Sequence, residues 1–415
     1  MKNTKNKLKC SVAFVMALAG FIPTQSVFAI EEGSELALEE IIVTAQKRSE
    51  RLQDVALSIS AFSEKNIQDA NITQIKDLSM LTPGLEFSET IGRQTTAPSI
   101  RGVAPLGFAD PTVLVYVDGF TLGFTRSENN AQLFDLERIE VLKGPQATLY
   151  GRNALGGVVN YITKKPGNEF EGSVKGEYGR FNNFEIAGTA GGAVIEDKVF
   201  LQAGIGYRES GGFLDNEFDG ANDVNDESDF NARVNMRFTP SDQLEVNLTV
   251  NYSKVDDACG DCAHVPVEWT GSRLDVGAGL VDFNNISNTV NMDRLGSYEN
   301  EVFSFVSKVE YDMDWATLTN IAGFAKGEQM LVADFTRSPG PFGPFEGFTI
   351  RRDNKGWSEE LRLASNGDEK LTWLVGFYAF KNNRTGQVFL DFDGGGILYL
   401  LILTLKSKIM RDLSI

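Results

Sequence analysis

The sequence predicts a mainly β protein, in which an N-terminal α+β domain precedes nine or ten long antiparallel strands. Apolar and polar residues alternate with a period of two from residue 172 onward, as strands with one apolar face require. The connections between these strands alternate between short and long. After the N-terminal segment, the sequence contains no run of about 20 apolar residues, so no membrane helix is predicted. The apolar face is seen in Val199, Leu201, Ala203, Ile205 and Tyr207.

The N-terminus has the pattern of a signal peptide over residues 1–29. A lysine-rich start is followed by an apolar stretch from Cys10 to Ile22, which is too short to span a bilayer as a helix. Small residues at Val27 and Ala29 then predict cleavage after Ala29. An uncleaved N-terminal anchor is the alternative.

The charge is strongly acidic, with a formal net charge of −18. Removal of residues 1–29 takes away four lysines and no acid, so the mature chain carries −22. Because nucleic acid binding depends on clustered basic residues, this balance argues against a nucleic acid partner.

The loop lengths distinguish a membrane barrel from a soluble β-sandwich, which shows the same alternation. Short turns are predicted at residues 195–198, 239–243, 312–314 and 366–370. Long connections are predicted at residues 209–229, 255–299 and 328–356. Short turns on one side and long loops on the other are typical of outer-membrane barrels, with the apolar face against outer-membrane lipid.

The region before residue 169 predicts a compact α+β domain. A short helix begins at Ser63, and residues 72–81 predict a second helix that stops before Pro83. Strands are predicted at residues 113–117 and 138–142, each followed by a turn. The glycines at 151, 156 and 157 predict close backbone approach. A phosphate loop is excluded because no Gly-Lys-Ser/Thr follows Gly144, and no cofactor or catalytic residue is predicted.

Five motifs in a fixed order resemble those of the TonB-dependent outer-membrane receptors. Residues 135–160 (DLERIEVLKGPQATLYGRNALGGVVN) are similar to the core of the plug domain of that family. The other four are EEIIVTA at 39–45, SIRG at 99–102, VYVDG at 115–119 and SEELRLAS at 358–365. The resemblance covers about residues 39–390 and implies an energised importer rather than an enzyme.

The resemblance implies five regions. These are a signal peptide at 1–29, a TonB box and linker at 30–50, a plug at 51–168, the N-terminal part of a barrel at 169–395, and an atypical tail at 396–415. Family barrels have 22 strands, so nine or ten leave the barrel incomplete. We therefore expect a truncated, frame-shifted or partial sequence, and the alternative is a complete small barrel.

The TonB box is expected to bind the periplasmic TonB protein by strand addition. Its apolar centre supplies strand propensity, and the acidic residues before it keep the segment solvated. A flexible linker is the alternative. The predicted residues are Glu40, Ile41, Ile42, Val43, Thr44 and Ala45.

An ionic lock between plug and barrel is expected from Arg101, Arg138 and Glu360. The two arginines match family positions that pair with barrel glutamates, and Glu360 is expected on the lumen face, opposite to Leu361. The alternative is that Arg138 pairs within the plug.

The expected cargo is a scarce solute, with a ferric siderophore favoured over vitamin B12 or an oligosaccharide. Its contacts are expected at Arg93, Phe108 and Arg126. The rival classes are a passive porin and a non-functional truncated fragment.

Cys259 and Cys262 form a Cys-x-x-Cys pair in a predicted external loop, with His264 nearby. A zinc site is the alternative, but one such pair lacks the second half of a structural site. In an oxidising compartment we expect a disulfide and no bound metal.

Overall fold

The computed structural model describes residues 41–88, 97–105, 111–121, 134–151, 153–258, 289–290, 292–334, 345–366, 371–392, 396–406 and 410–414. Nine short strands form the N-terminal domain, which is called the plug below. They are β1 (Ile42–Val43), β2 (Glu50–Arg51), β3 (Ile59–Ser63), β4 (Leu85–Ser88), β5 (Ala97–Ile100), β6 (Val113–Val117), β7 (Phe120–Thr121), β8 (Leu136–Lys143) and β9 (Gly157–Thr163).

A five-stranded mixed sheet of order β3-β8-β9-β6-β7 organises the plug, and β6 and β9 are its parallel pair. Helix α1 (Glu64–Asp69) begins with Ser63 as its N-cap, in agreement with the sequence. A short helix α2 (Ala147–Tyr150) precedes Gly151. The second predicted helix is instead a 3-10 helix, Ile75–Met80, which makes only about two turns before Pro83.

The plug sheet is buried on both faces, which explains its continuous apolar runs. One core cluster contains Val113 and Val115 of β6. The other contains Leu114 and Tyr116, which lie on the opposite face of the same strand. Adjacent to this core, a Cβ atom on Gly157 would overlap the carbonyl oxygen of Leu142. Glycine is therefore required there, as expected.

Eleven strands form one large antiparallel sheet, which is called the wall below. The strands up to β20 follow one another in space, except for a small parallel bridge between two connecting segments, β13 (Asp215–Asn216) and β16 (Thr289–Val290). The wall strands are β10 (Glu171–Tyr178), β11 (Phe184–Ile195), β12 (Val199–Ser210), β14 (Glu227–Ser241), β15 (Leu244–Ala258), β17 (Ser297–Asp312), β18 (Ala316–Asp334), β19 (Phe345–Ser365), β20 (Leu374–Phe392), β21 (Gly396–Lys406) and β22 (Met410–Ser414).

The predicted fold class is confirmed, including the nine strands to residue 387 and the tenth near 397–405. Both β21 and β22 pair with β20, so the atypical tail follows the edge of that strand. Among the described residues, β10 pairs only with β11, so the sheet does not close.

Nine of the eleven wall strands are longer than the roughly ten residues that a tilted strand needs to cross a membrane, and the exceptions are β10 and β22. Strand β18 has 19 residues and β19 has 21, so the connection expected at 328–356 shortens to residues 335–344. Backbone pairing in these two strands continues beyond the stretch in which apolar and polar residues alternate, because hydrogen bonds between strands do not require an apolar face. None of the helices in the described ranges is long and apolar enough to cross a membrane.

The plug packs against the polar face of the wall, which we call the inner face. Phe120 of β7 joins a buried cluster with Val306, Ile321 and Ala325 of β17 and β18. At a different wall strand, Lys165 Nζ lies 2.5 Å from Glu245 Oε1 of β15. The plug is therefore anchored by apolar packing on one part of the wall and by ionic contacts on another.

Candidate functional site

The candidate site is the segment of residues 41–48, which we call the coupling segment. Its strand β1 pairs with β2, with Ile42 opposite Arg51, and the pair lies against the plug. The side chains of Val43 and Ala45 are fully buried, whereas that of Ile42 is 42% exposed. The predicted TonB box thus forms part of a folded hairpin, from which only alternate side chains reach solvent.

The plug holds the coupling segment through the buried carboxylate of Glu140. The backbone N–H of Thr44 donates to Glu140 Oε1 at 2.8 Å, and the Thr44 hydroxyl lies 3.2 Å from the same oxygen. Arg138 Nε donates to Glu140 Oε1 at 2.9 Å, and Asn160 Nδ2 lies 3.4 Å from Oε2. Glu140 is fully buried, so these donors replace the water that its charge has lost.

Two tyrosines extend this attachment. The Tyr150 hydroxyl donates to the carbonyl oxygen of Ala45 at 3.0 Å, and the Tyr116 hydroxyl donates to the carbonyl oxygen of Tyr150 at 2.6 Å. Burial raises the pKa of the Tyr150 hydroxyl. It therefore stays protonated and remains a donor at physiological pH.

The wall holds the same segment through Glu360 of β19. Lys47 Nζ lies 3.1 Å from Glu360 Oε2, and Arg362 Nη1 donates to Glu360 Oε1 at 2.9 Å. The Lys47 ammonium also lies 4.4 Å from the ring centroid of Tyr150 and 5.4 Å from that of Tyr116. Burial lowers the pKa of Lys47, and the adjacent Glu360 carboxylate opposes that shift. The ammonium is stabilised by its carboxylate and aromatic partners rather than by water.

Arg48 makes a second attachment to the wall. Its Nη2 donates to the carbonyl oxygen of Trp373 and lies 3.5 Å from the Ser365 hydroxyl, at the end of β19 and just before β20. Two consecutive basic residues, Lys47 and Arg48, therefore fix the end of the coupling segment to neighbouring wall strands.

The structure brings together part of the predicted ionic lock. Glu360 faces the plug, but its plug partner is Lys47. Arg138 pairs with Glu137 and Glu140 inside the plug, which was the alternative in the sequence analysis. Arg101 donates to the Ser58 hydroxyl at 3.0 Å, also inside the plug. The expected pairing of these arginines with Glu360 is thus replaced by a lysine pair, because Arg138 lies within reach of the buried Glu140.

Sequence reasoning missed Lys47, Arg48 and Glu140 as members of the site. The signal for the first two was a pair of basic residues shortly after an apolar strand in an acidic chain. Other predicted site residues lie outside the described residues. These are Glu40 of the TonB box, the cargo contacts Arg93, Phe108 and Arg126, and the cysteines Cys259 and Cys262.

A cleft between plug and wall lies beside the coupling segment. Tyr116 and Tyr150 line it from the plug, and Tyr378, Phe380 and Asn382 line it from β20. Its lining is aromatic with a few polar groups, which is a common composition for small-molecule sites.

Comparison with known proteins agrees with the predicted resemblance. The family model described as "TonB-dependent Receptor Plug Domain" matches residues 51–158. The pesticin receptor of Yersinia pestis is 27% identical over 239 residues, which cover 57% of this chain and 35% of that receptor. A vitamin B12 transporter of Vibrio vulnificus is 33% identical over 139 residues, covering 33% of this chain and 22% of the transporter.

Solved structures share the fold. The ferric yersiniabactin uptake receptor of Yersinia pestis matches with a TM-score of 0.71 at 20% identity, over 82% of this chain and 50% of that structure. The ferripyoverdine receptor of Pseudomonas aeruginosa matches with a TM-score of 0.68 at 17% identity, over 90% of this chain and 50% of that structure. The chain thus spans about a third or less of the curated relatives named above, and about half of these solved structures.

Proposed function

We propose an energised-uptake function for this chain, which belongs to the TonB-dependent receptors of the bacterial outer membrane. In this proposal the protein binds a scarce solute outside the cell, and the TonB protein drives its passage by acting on residues 41–45. The chain acts as a receptor and transporter and not as an enzyme.

The attachment of the coupling segment to two bodies carries the proposal. Thr44 and Ala45 are bound by the plug, whereas Lys47 and Arg48 are bound by the wall. A pull on β1 therefore acts on the junction between plug and wall. A passive porin has no use for such a segment, and its flux would not depend on these residues.

The strand geometry suits recognition by strand addition. Strand β1 is only two residues long and pairs with the equally short β2, so few hydrogen bonds are exchanged when a partner strand replaces it. The exposed Ile42 offers a side chain to that partner before the hairpin opens. Val43 and Ala45 become available afterwards.

For the cargo we propose a ferric siderophore. Two of the structures with the same fold are receptors for ferric yersiniabactin and for ferripyoverdine. Vitamin B12 is the second candidate, since a curated relative is a vitamin B12 transporter. An oligosaccharide is a further candidate of the same receptor class.

The test is uptake by cells that produce the native protein, with Ile42→Pro compared to Ile42→Val. Proline removes a backbone donor from β1, whereas valine keeps strand propensity. The cells are offered a panel of ⁵⁵Fe-loaded catecholate and hydroxamate chelates and labelled vitamin B12. One of these compounds should bind at the cell surface to both variants. We expect accumulation inside the cell to fall to background in Ile42→Pro alone. Equal accumulation in both variants would refute the coupling role, and binding of vitamin B12 alone would refute the siderophore.

A further inference from the structure

Two aromatic side chains of the plug each pack against a glycine of the wall. The first is Phe120, which is 2% exposed and lies over Gly323 of β18. A Cβ atom on Gly323 would lie 3.0 Å from Cγ of the Phe120 ring and still closer to Cδ2 and Cε2. No side chain larger than hydrogen fits at Gly323 while the ring keeps this position.

The hairpin that carries Phe120 approaches the wall very closely. Its turn residues Asp118 and Gly119 have φ values of 50° and 84°, which is the left-handed pair of a tight hairpin. A Cβ atom on Gly119 would lie 2.7 Å from Cδ1 of Ile321, which is a wall residue next to Gly323 on the inner face. Turn and wall are thus fitted to each other at this point.

The second aromatic is Phe134, which precedes β8. A Cβ atom on Gly204 of β12 would lie 2.8 Å from Cε2 of its ring and 3.0 Å from Cγ2 of Thr189. The Arg233 guanidinium carbon lies 5.2 Å from the ring centroid, and Arg233 Nη1 lies 3.2 Å from the Phe134 carbonyl oxygen. The ring therefore packs against a glycine of β12 and an arginine of β14, which are paired neighbours in the wall.

Glycine is uncommon in the interior of a strand unless another group lies too close for a larger side chain. In a strand interior it lowers stability and weakens packing, so a close approach by another group is the physical reason for its presence. Neither Gly204 nor Gly323 needs the left-handed conformation, because both lie within paired strands. By contrast, a Cβ atom on Gly176 of β10 or on Gly386 of β20 would meet no atom of the described residues within 4 Å.

We propose that Phe120 and Phe134 are positioning residues, which seat the plug in the wall through notches at Gly323 and Gly204. The notches lie on separate parts of the wall, β18 and β12, so together they fix the position of the plug and limit its rotation. Their role is distinct from that of the coupling segment, which is held by hydrogen bonds and ion pairs to Glu140, Tyr150 and Glu360. The seating holds whichever cargo the receptor takes.

The experiment measures protease cleavage of the plug in purified outer membranes that contain the native protein. We expect Gly323→Ala and Gly204→Ala to raise the cleavage rate about tenfold, since overpacking at a fixed ring lowers the stability of the seated state. Gly386→Ala and Gly176→Ala are the matched controls and should leave the rate unchanged.

A double substitution separates seating from a general loss of stability. Phe120→Ala removes the ring, so adding Gly323→Ala to it should cause no further increase in cleavage. If Gly323→Ala alone yields no protein in the membrane, we expect the double variant to restore it. Additive effects, a Gly323→Ala variant that behaves like Gly386→Ala, or absence of both single and double variants would overturn the proposal.

Discussion

The plug and the wall differ in the mixture of residues that they bury. In the plug, the central strands bury Ile139, Val141 and Val159 on faces that are covered on both sides. In the wall, the inner face buries polar residues such as Asn300 and Ser304 beside apolar ones such as Val306, whereas the outer face carries exposed apolar residues. Phe303 and Phe305, which alternate with that pair on β17, are 41% and 39% exposed.

This difference indicates that the two regions are stabilised by different surroundings, the plug by water and the outer face of the wall by lipid. The plug gains its stability in water, because its apolar area is removed from water by its own fold. The outer face of the wall gains stability only when lipid covers it, and its inner face makes hydrogen bonds to the plug, such as that from Arg233 Nη1 to the Phe134 carbonyl oxygen. Substitutions that exchange these chemistries are therefore expected to have different costs in the two regions.

The largest effect is expected for Gly157→Ala in the plug. Its Cβ would overlap the Leu142 carbonyl oxygen and lie 2.7 Å from Ile100 Cδ1, so β8 and β9 must separate. We expect the free energy of plug unfolding to fall by about 4 kcal/mol, at the top of the range for single substitutions. Urea titration of plug protection from protease measures it, with Gly167→Ala in open space as the control. A loss equal to that of the control would mean that β8 and β9 can accommodate a methyl group at position 157 without separating.

The next effect tests the outer face of the wall. Ile205→Arg places a charge against lipid in the middle of β12, which costs about 3 kcal/mol near the bilayer midplane. We expect less protein in the membrane fraction and a lower folding yield in lipid vesicles, while Ile205→Phe remains normal. If the arginine variant inserts as well as the phenylalanine variant, this face does not contact lipid.

A smaller effect is expected at the ionic contact between the two regions. Lys47→Met and Glu360→Gln should each weaken the attachment of the coupling segment to the wall. In the double variant, the loss of attachment free energy should be smaller than the sum of the two single losses. The coupling energy is expected to be about 1–2 kcal/mol, since Arg362 remains beside Glu360. Labelling of a cysteine at Val43, which is buried while the segment is attached, measures the loosening. Additive effects would show that Lys47 and Glu360 act independently.

The period-two pattern predicted which wall residues face outward, because side chains alternate strictly along a strand. It also placed Glu360 on the inner face, where the structure has it. The pattern gave no information on its partner, since Lys47 lies 313 positions away and the pairing depends on how plug and wall meet. The ends of the strands could not be predicted either, because β18 and β19 continue beyond the stretch in which apolar and polar residues alternate. The two aromatic notches were not predicted, since a strand glycine in sequence reveals a close approach but not its partner.

The smallest effect is expected at the surface of the plug. Arg51 and Asp54 form an ion pair at 2.6 Å, and their side chains are 61% and 53% exposed. Asp54→Asn should change the free energy of plug unfolding by less than about 1 kcal/mol, because water and salt screen exposed pairs. The same urea titration measures it, and a larger loss would show that this pair supports the hairpin of β1 and β2.

Contact between TonB and the coupling segment is tested by site-specific crosslinking in living cells. A photo-crosslinking residue at position 42, where the side chain is 42% exposed, is compared with one at position 139, which is fully buried in the plug core. We expect a crosslink to TonB from position 42 that increases when cargo is present, and none from position 139. Cargo-dependent uptake with no crosslink from position 42 would contradict the central claim that TonB acts on residues 41–45.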